Sequence, residues 1–147
     1  MTLYEFIAKH EGRKRKPYKC PAGYNTIGVG WNMDANPLPP DIKKQLDQYG
    51  QIDDEMVDRL LNISIRHTLA DCQVIFPSYN TFSDARRMAL ADFVFNLGFK
   101  GAKRFVKAVK YINAEKWPEV AQEMRNSDWY RQVPNRAKEV VSMVEQG

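Results

Sequence analysis

The strongest constraint on how this chain folds is a long run of helical periodicity in its middle. Met56, Val57, Leu60, Leu61 and Ile63 recur at helical spacing, and the pattern continues through Leu69 and Cys72 until Phe76 and Pro77 stop it. A helix over residues 53–76 predicts a strut between two lobes. With 147 residues, 44% of them hydrophobic, the chain can bury one proper core but cannot build two large independent domains. A single domain with two lobes is the expectation.

The segments on either side of the strut differ in kind. Leu3, Phe6, Ile7 and His10 predict a short helix over residues 3–11, stopped at Gly12 by a left-handed residue. From Pro17 to Trp31 the sequence "PYKCPAGYNTIGVGW" reads as two short extended runs around a turn at Pro21, Ala22 and Gly23, a small antiparallel sheet. After a loop rich in Pro and Asn, Asp41 is placed to cap a helix carrying Ile42, Leu46 and Tyr49, with Gly50 ending it. Beyond the strut, Ser83 starts a helix over residues 85–97 that is apolar on most faces and ends at Gly98. A helix of that kind belongs at the centre of a core. Helices over residues 103–113, 118–126 and 135–145 follow, the last two behind Pro118 and Pro134. The fold class is α+β, mainly helical.

Charge narrows the partners without choosing one. Twenty-two Lys and Arg against 18 Asp and Glu give a formal charge of +4, which favours nucleic acid, lipid head groups or an acidic cell-wall polymer. The opening "MTLYEFIAKHEG" has no apolar core of a secretory signal, and no stretch approaches a membrane span, so stable membrane insertion is not expected and the chain is expected to fold in cytosol. Cys20 and Cys72 lack the paired spacing of a zinc or redox motif. Neither a disulfide, a metal nor a cofactor is expected.

The chemistry concentrates near the start. Glu11 falls at the C-terminal end of the first helix, where the dipole disfavours a carboxylate by a few tenths to about 1 kcal/mol and pushes its pKa upward. Such a residue either pairs with one of Arg13, Lys14, Arg15 and Lys16 or serves as a general acid. Gly28 and Gly30 flank Val29 within the expected strand, where glycine suits the close approach of a ligand, and alternation puts Thr26 on their face. The Thr26 hydroxyl could hold a water or a sugar there, or Thr26 is simply a good strand former.

The spacing of Glu11, Cys20 and Thr26 in "EGRKRKPYKCPAGYNTIGVG" resembles the active-site signature of the phage-type lysozymes, glycoside hydrolase family 24. "DARRMALADFVFNLG" and "SDWYRQVPNRAKEVV" resemble that family's central helix and C-terminal segment, in the same order, so the likeness covers nearly the whole chain. It implies hydrolysis of the β-1,4 bond between N-acetylmuramic acid and N-acetylglucosamine in peptidoglycan. Glu11 would protonate the glycosidic oxygen, and Thr26 would sit near the attacking water. Arg136 matches an Arg that pairs with the catalytic Glu, and Phe95, Asn96 and Gly30 would line the sugar groove. The bland readings are a core Phe95, a helix-end Asn96 and a surface ion pair at Arg136.

Cys20 stands where relatives more often carry Asp. A thiol with a pKa of about 8.5 is mostly neutral at pH 7, so it helps only if ionised, and Lys19 with residues 13–16 are the groups expected to lower its pKa. The alternative is a Cys packed at the sheet edge, and Cys72 is expected in the core. The resemblance further implies a single catalytic domain over 1–147: a small lobe over about 12–52, a linking helix over 53–76, and a helical lobe over 77–147 that also takes the N-terminal helix. It implies a monomeric endolysin acting on peptidoglycan glycan strands, held in the host cytoplasm until a holin-type lesion opens the way to the periplasm. The competing classes are a catalytically inactive wall-binding protein and a basic nucleic-acid-binding helical domain using "RKRK" with Tyr18 and Tyr24. Spread charge and the lack of a nucleic-acid motif count against the last.

Overall fold

A computed structural model describes residues 1–147 as a mainly helical α+β chain with one small sheet, divided into two compact units, residues 1–66 and 67–147. The boundary falls inside the long helix.

The first unit begins with α1 (Leu3–Glu11), fixed at its start by a capping box. The Thr2 hydroxyl accepts from the Glu5 N–H at 3.1 Å and the Glu5 carboxylate accepts from the Thr2 N–H at 3.3 Å. Gly12, at φ 77°, then turns the chain into β1 (Lys14–Lys19). β1 pairs antiparallel with β2 (Asn25–Gly28), and β2 pairs with β3 (Trp31–Asn32), giving the order β1-β2-β3. The sheet therefore has three strands rather than two, and β1 starts before Pro17. Gly28 is the last residue of β2 and Gly30 lies in the turn after it, so the two do not share one continuous strand. Both have φ 68° and bracket the reversal from β2 to β3, and a Cβ on Gly28 would meet Leu60 at 3.7 Å and Val57 at 3.9 Å. The glycines serve the turn, and Gly28 faces the long helix.

α2 (Pro40–Tyr49) ends at Gly50 in the left-handed conformation, as its sequence predicts. Asp41 does not cap it. Pro39 holds the cap position, while Asp41 lies inside the first turn and accepts from Arg59 at 2.6 Å. α3 (Asp54–Ile75) is capped by Asp53, whose carboxylate accepts from the Met56 N–H at 2.8 Å. Tyr4 on α1 donates to Asp58 on α3 within this unit.

In the second unit a 3-10 turn (Tyr79–Thr81) leads to α4 (Asp84–Lys103), capped by Ser83. Residues 89–94 of α4 are all buried, which is what an apolar circumference requires. Gly98 is a break rather than an end: its φ of 76° interrupts α4, and helical turns resume after it. α5 (Val106–Asn113), α6 (Trp117–Arg125), the five-residue α7 (Asp128–Gln132) and α8 (Pro134–Gln146) complete the unit, with α8 packed on α4, α6 and α7. Phe93 stands edge-on to Trp129 at 4.9 Å and to Phe105 at 5.2 Å. Arg86 lies over the Trp117 ring at 4.4 Å and donates to the Val144 carbonyl at 2.8 Å.

Candidate active site

Within the first unit, Glu11 is the last residue of α1, Gly12 turns the chain, and β1 then carries Tyr18 and leads into the turn at Cys20. Tyr18 lies directly opposite Thr26 on β2, and Thr26 lies opposite Asn32 on β3, so one row of side chains crosses all three strands. A tight turn fixes Cys20: its N–H donates to the Tyr24 carbonyl at 3.0 Å, and its carbonyl accepts from Gly23 at 2.8 Å. Tyr18 feels the charge of both the acid and the thiol. Burial raises its pKa first, and the negative charges of Glu11 and Cys20 raise it further.

The electrostatics of Cys20 have a different origin from the one its sequence neighbours suggest. Hydrogen bonding from the backbone of Tyr24 lowers its pKa most, with the backbone of Ala22 and Gly23 and the Thr26 hydroxyl adding to the effect. Local turn geometry, rather than the lysines, favours the thiolate. Thr26 is buried at 3% exposure, and its hydroxyl is oriented by donating to the Tyr24 carbonyl at 2.9 Å. Of the basic run, Arg13 is held by the start of α3 and by α1. Arg13 donates to Asp58 at 2.7 Å and to the Tyr4 hydroxyl at 2.7 Å, and lies 3.7 Å from Asp54. Gly30 is exposed in the turn before β3.

The remaining sequence-derived candidates belong to the second unit. Arg136 on α8 is buried and grips Asp92 on α4 with two parallel bonds, Nε to Oδ2 at 2.9 Å and Nη2 to Oδ1 at 2.8 Å. It is therefore not a surface ion pair. Asn96 accepts from the Trp129 indole at 2.8 Å, and Phe95 beside it is half-buried rather than sealed in the core. Two residues hold places that the sequence reading does not give them. Tyr18 was legible as the residue two before Cys20 on the same strand face. Asp92 was legible as a carboxylate in a helix apolar all round, which demands a buried cation. No group of three His, Cys, Asp or Glu side chains is placed to hold a metal ion.

Comparison with known proteins gives a consistent result. Residues 8–144 match the family described as phage lysozyme. Two curated proteins of Dictyostelium discoideum, Probable T4-type lysozyme 2 and Probable T4-type lysozyme 1, are 30% and 25% identical, each alignment covering 99% of this chain and 95% of the relative. The Pre-baseplate central spike protein Gp5 of Enterobacteria phage T4 is 26% identical over 98% of this chain but only 28% of its own length.

Proposed function

The chain belongs to the phage lysozyme family, and from that premise we propose that it cleaves the β-1,4 bond between N-acetylmuramic acid and N-acetylglucosamine in peptidoglycan with Glu11 as general acid. The observation that supports this reading is the Tyr18–Thr26 pairing across β1 and β2, beside the turn that fixes Cys20 and on the strand that follows Glu11. Glu11 gives its proton to the glycosidic oxygen as the bond breaks. The sugar left behind carries oxocarbenium-like positive charge, which a Cys20 thiolate offsets, while a water held by the Thr26 hydroxyl is placed to attack. Gly30, Phe95, Asn96 and Arg136 are assigned to sugar binding on the same reading. Its biological setting is lysis for phage release by a monomer made in the host cytoplasm, which reaches the periplasmic wall through a holin-type lesion.

The test is clearing of cells with permeabilised outer membranes, followed by analysis of the new reducing ends. N-acetylmuramic acid at those ends is the expected result, and N-acetylglucosamine there would overturn the bond assignment. Glu11→Gln keeps the shape of the side chain and removes the proton donor. Activity should fall by at least roughly a hundredfold with the fold intact. A variant that clears cells at the parent rate removes Glu11 from the acid role.

A further inference from the structure

The catalytic reading leaves the basic run at residues 13–16 without a use. Arg13 is neutralised in place by Asp58 and Asp54. Lys14, Arg15 and Lys16 are exposed, and no ion pair or side-chain hydrogen bond holds any of them. All four line one depression of about 370 Å³ together with Gln51 and Asp54. Consecutive residues of a regular strand point to opposite faces, so three in a row cannot ordinarily line the same hollow. Here the register between β1 and β2 slips between Lys14 and Tyr18, with Pro17 inside the slip. Such an irregularity bends the strand and redirects its side chains. β1 is also an edge strand of the sheet.

The chemistry of the lining selects the partner. Its one carboxylate, Asp54, already faces Arg13, which leaves three cations uncompensated. No aromatic side chain lines the hollow, and Tyr18 is part-buried in its pairing with Thr26 on β2, so a nucleic acid would find phosphate contacts without base stacking. No lining side chain is buried, so a single small anion would keep its water there. A surface bearing many phosphates engages all three cations at once. Tyr49, 63% exposed, stands two residues before Gln51, and an exposed tyrosine suits the level of lipid headgroups. We propose that the hollow on β1 is a docking surface for the phosphate headgroups of an anionic phospholipid membrane. It holds the chain at the membrane face without insertion, and no helix is long and apolar enough to cross a membrane.

The proposal is independent of the catalytic assignment, and sedimentation of the full chain with vesicles tests it. Vesicles of phosphatidylcholine alone should not bind the chain, whereas phosphatidylcholine mixed with phosphatidylglycerol should, less so as salt rises. The triple variant Lys14→Gln, Arg15→Gln, Lys16→Gln should weaken binding by roughly a hundredfold, at about fivefold per charge. The control Lys107→Gln, Lys110→Gln, Lys116→Gln removes the same charge from the second unit and should change binding less than about threefold if the hollow is what binds. Should the triple variant fold poorly by circular dichroism, Lys16→Glu alone should still weaken binding by roughly twentyfold. Hydrolysis of purified peptidoglycan by the triple variant should match the parent, and loss of that activity would draw the run into the active site and overturn the proposal. Equal losses in the two triple variants would reduce the effect to net charge and overturn it. So would failure to bind the mixed vesicles, displacement by inorganic phosphate at constant ionic strength, or tighter binding of duplex DNA through the same three residues.

Discussion

Cys20 and Cys72 are the same side chain in opposite surroundings, and the contrast fixes what each can do. Cys20 is half-buried in a turn whose backbone, Tyr24 first, favours its thiolate. Cys72 is sealed in the second unit, where burial pushes its thiol up to about 12 and the nearby Asp71 charge adds to the rise. One thiol should therefore react with a small alkylating reagent in the native protein, and the second only after unfolding, counted by mass spectrometry before and after denaturant. The signs of their pH dependence are opposite. The depressed pKa of Cys20 adds stability above the unfolded thiol value of about 8.5 that is lost as pH falls through the folded value, and its alkylation should begin below the range of a free thiol. The raised pKa of Cys72 works the other way, and stability is lost as pH climbs from the free-thiol range toward 12. Thr26→Val should move the alkylation midpoint of Cys20 upward, because it removes a hydroxyl that can turn its proton from the Tyr24 carbonyl to the thiolate when Cys20 ionises. In catalysis Cys20→Asp should keep activity and Cys20→Ser should lose most of it, measured as clearing of permeabilised cells. A Ser variant as fast as the parent would make Cys20 a bystander. The residue itself was legible from its spacing to Glu11 and Thr26. The source of its ionisation was not, because the direction of backbone N–H groups in a turn is invisible in residue types.

At the scale of elements, sequence served best where period and punctuation agreed. α1, α2 and α3 carry apolar residues at helical spacing and stop at Gly12, Gly50 and Phe76, and their observed ends follow those signals closely. The two residues of β3 and the five of α7 are too short to show any period; β3 is regular through its pairing with β2, and α7 starts on a local cap in which the Ser127 hydroxyl accepts from the Tyr130 N–H. Gly28 and Gly30 were misread for a related reason. Alternation describes a strand only while it continues, and a reversal at Gly28 resets it. Their positive φ carries a prediction. Gly28→Ala should cost about 1–2 kcal/mol in chemical denaturation from backbone strain, since the new Cβ would stand at an ordinary 3.7 Å from Leu60. A variant of full stability that no longer cleaves peptidoglycan would return Gly28 to the role of a glycine kept small for a ligand.

For the molecule as a whole, the Asp92–Arg136 pair separates what the fold needs from what the reaction needs. Asp92 is wholly buried and Arg136 nearly so, and their two-pronged bond ties α4 to α8 within the second unit. A sequence can reveal that a carboxylate lies in an apolar helix, but not which of 22 Lys and Arg side chains will meet it 44 positions away. Removing one partner of such a pair leaves a buried charge alone, so Arg136→Ala should cost about 3–5 kcal/mol, a large part of the total stability of an ordinary domain. Loss of cell clearing in that variant would then say nothing about sugars. The double variant Asp92→Leu, Arg136→Met removes both charges and fills their space with apolar groups, which is often neutral or stabilising. Its midpoint in urea should return close to that of the parent. If it then cleaves peptidoglycan normally, Arg136 serves the fold alone. If it is stable and cleaves slowly, with Glu11 and Cys20 unchanged in sequence, the guanidinium belongs to the reaction as well as to the core. A double variant as unstable as Arg136→Ala would show instead that the packing of α4 against α8 depends on the shape of the ion pair and not on its charge.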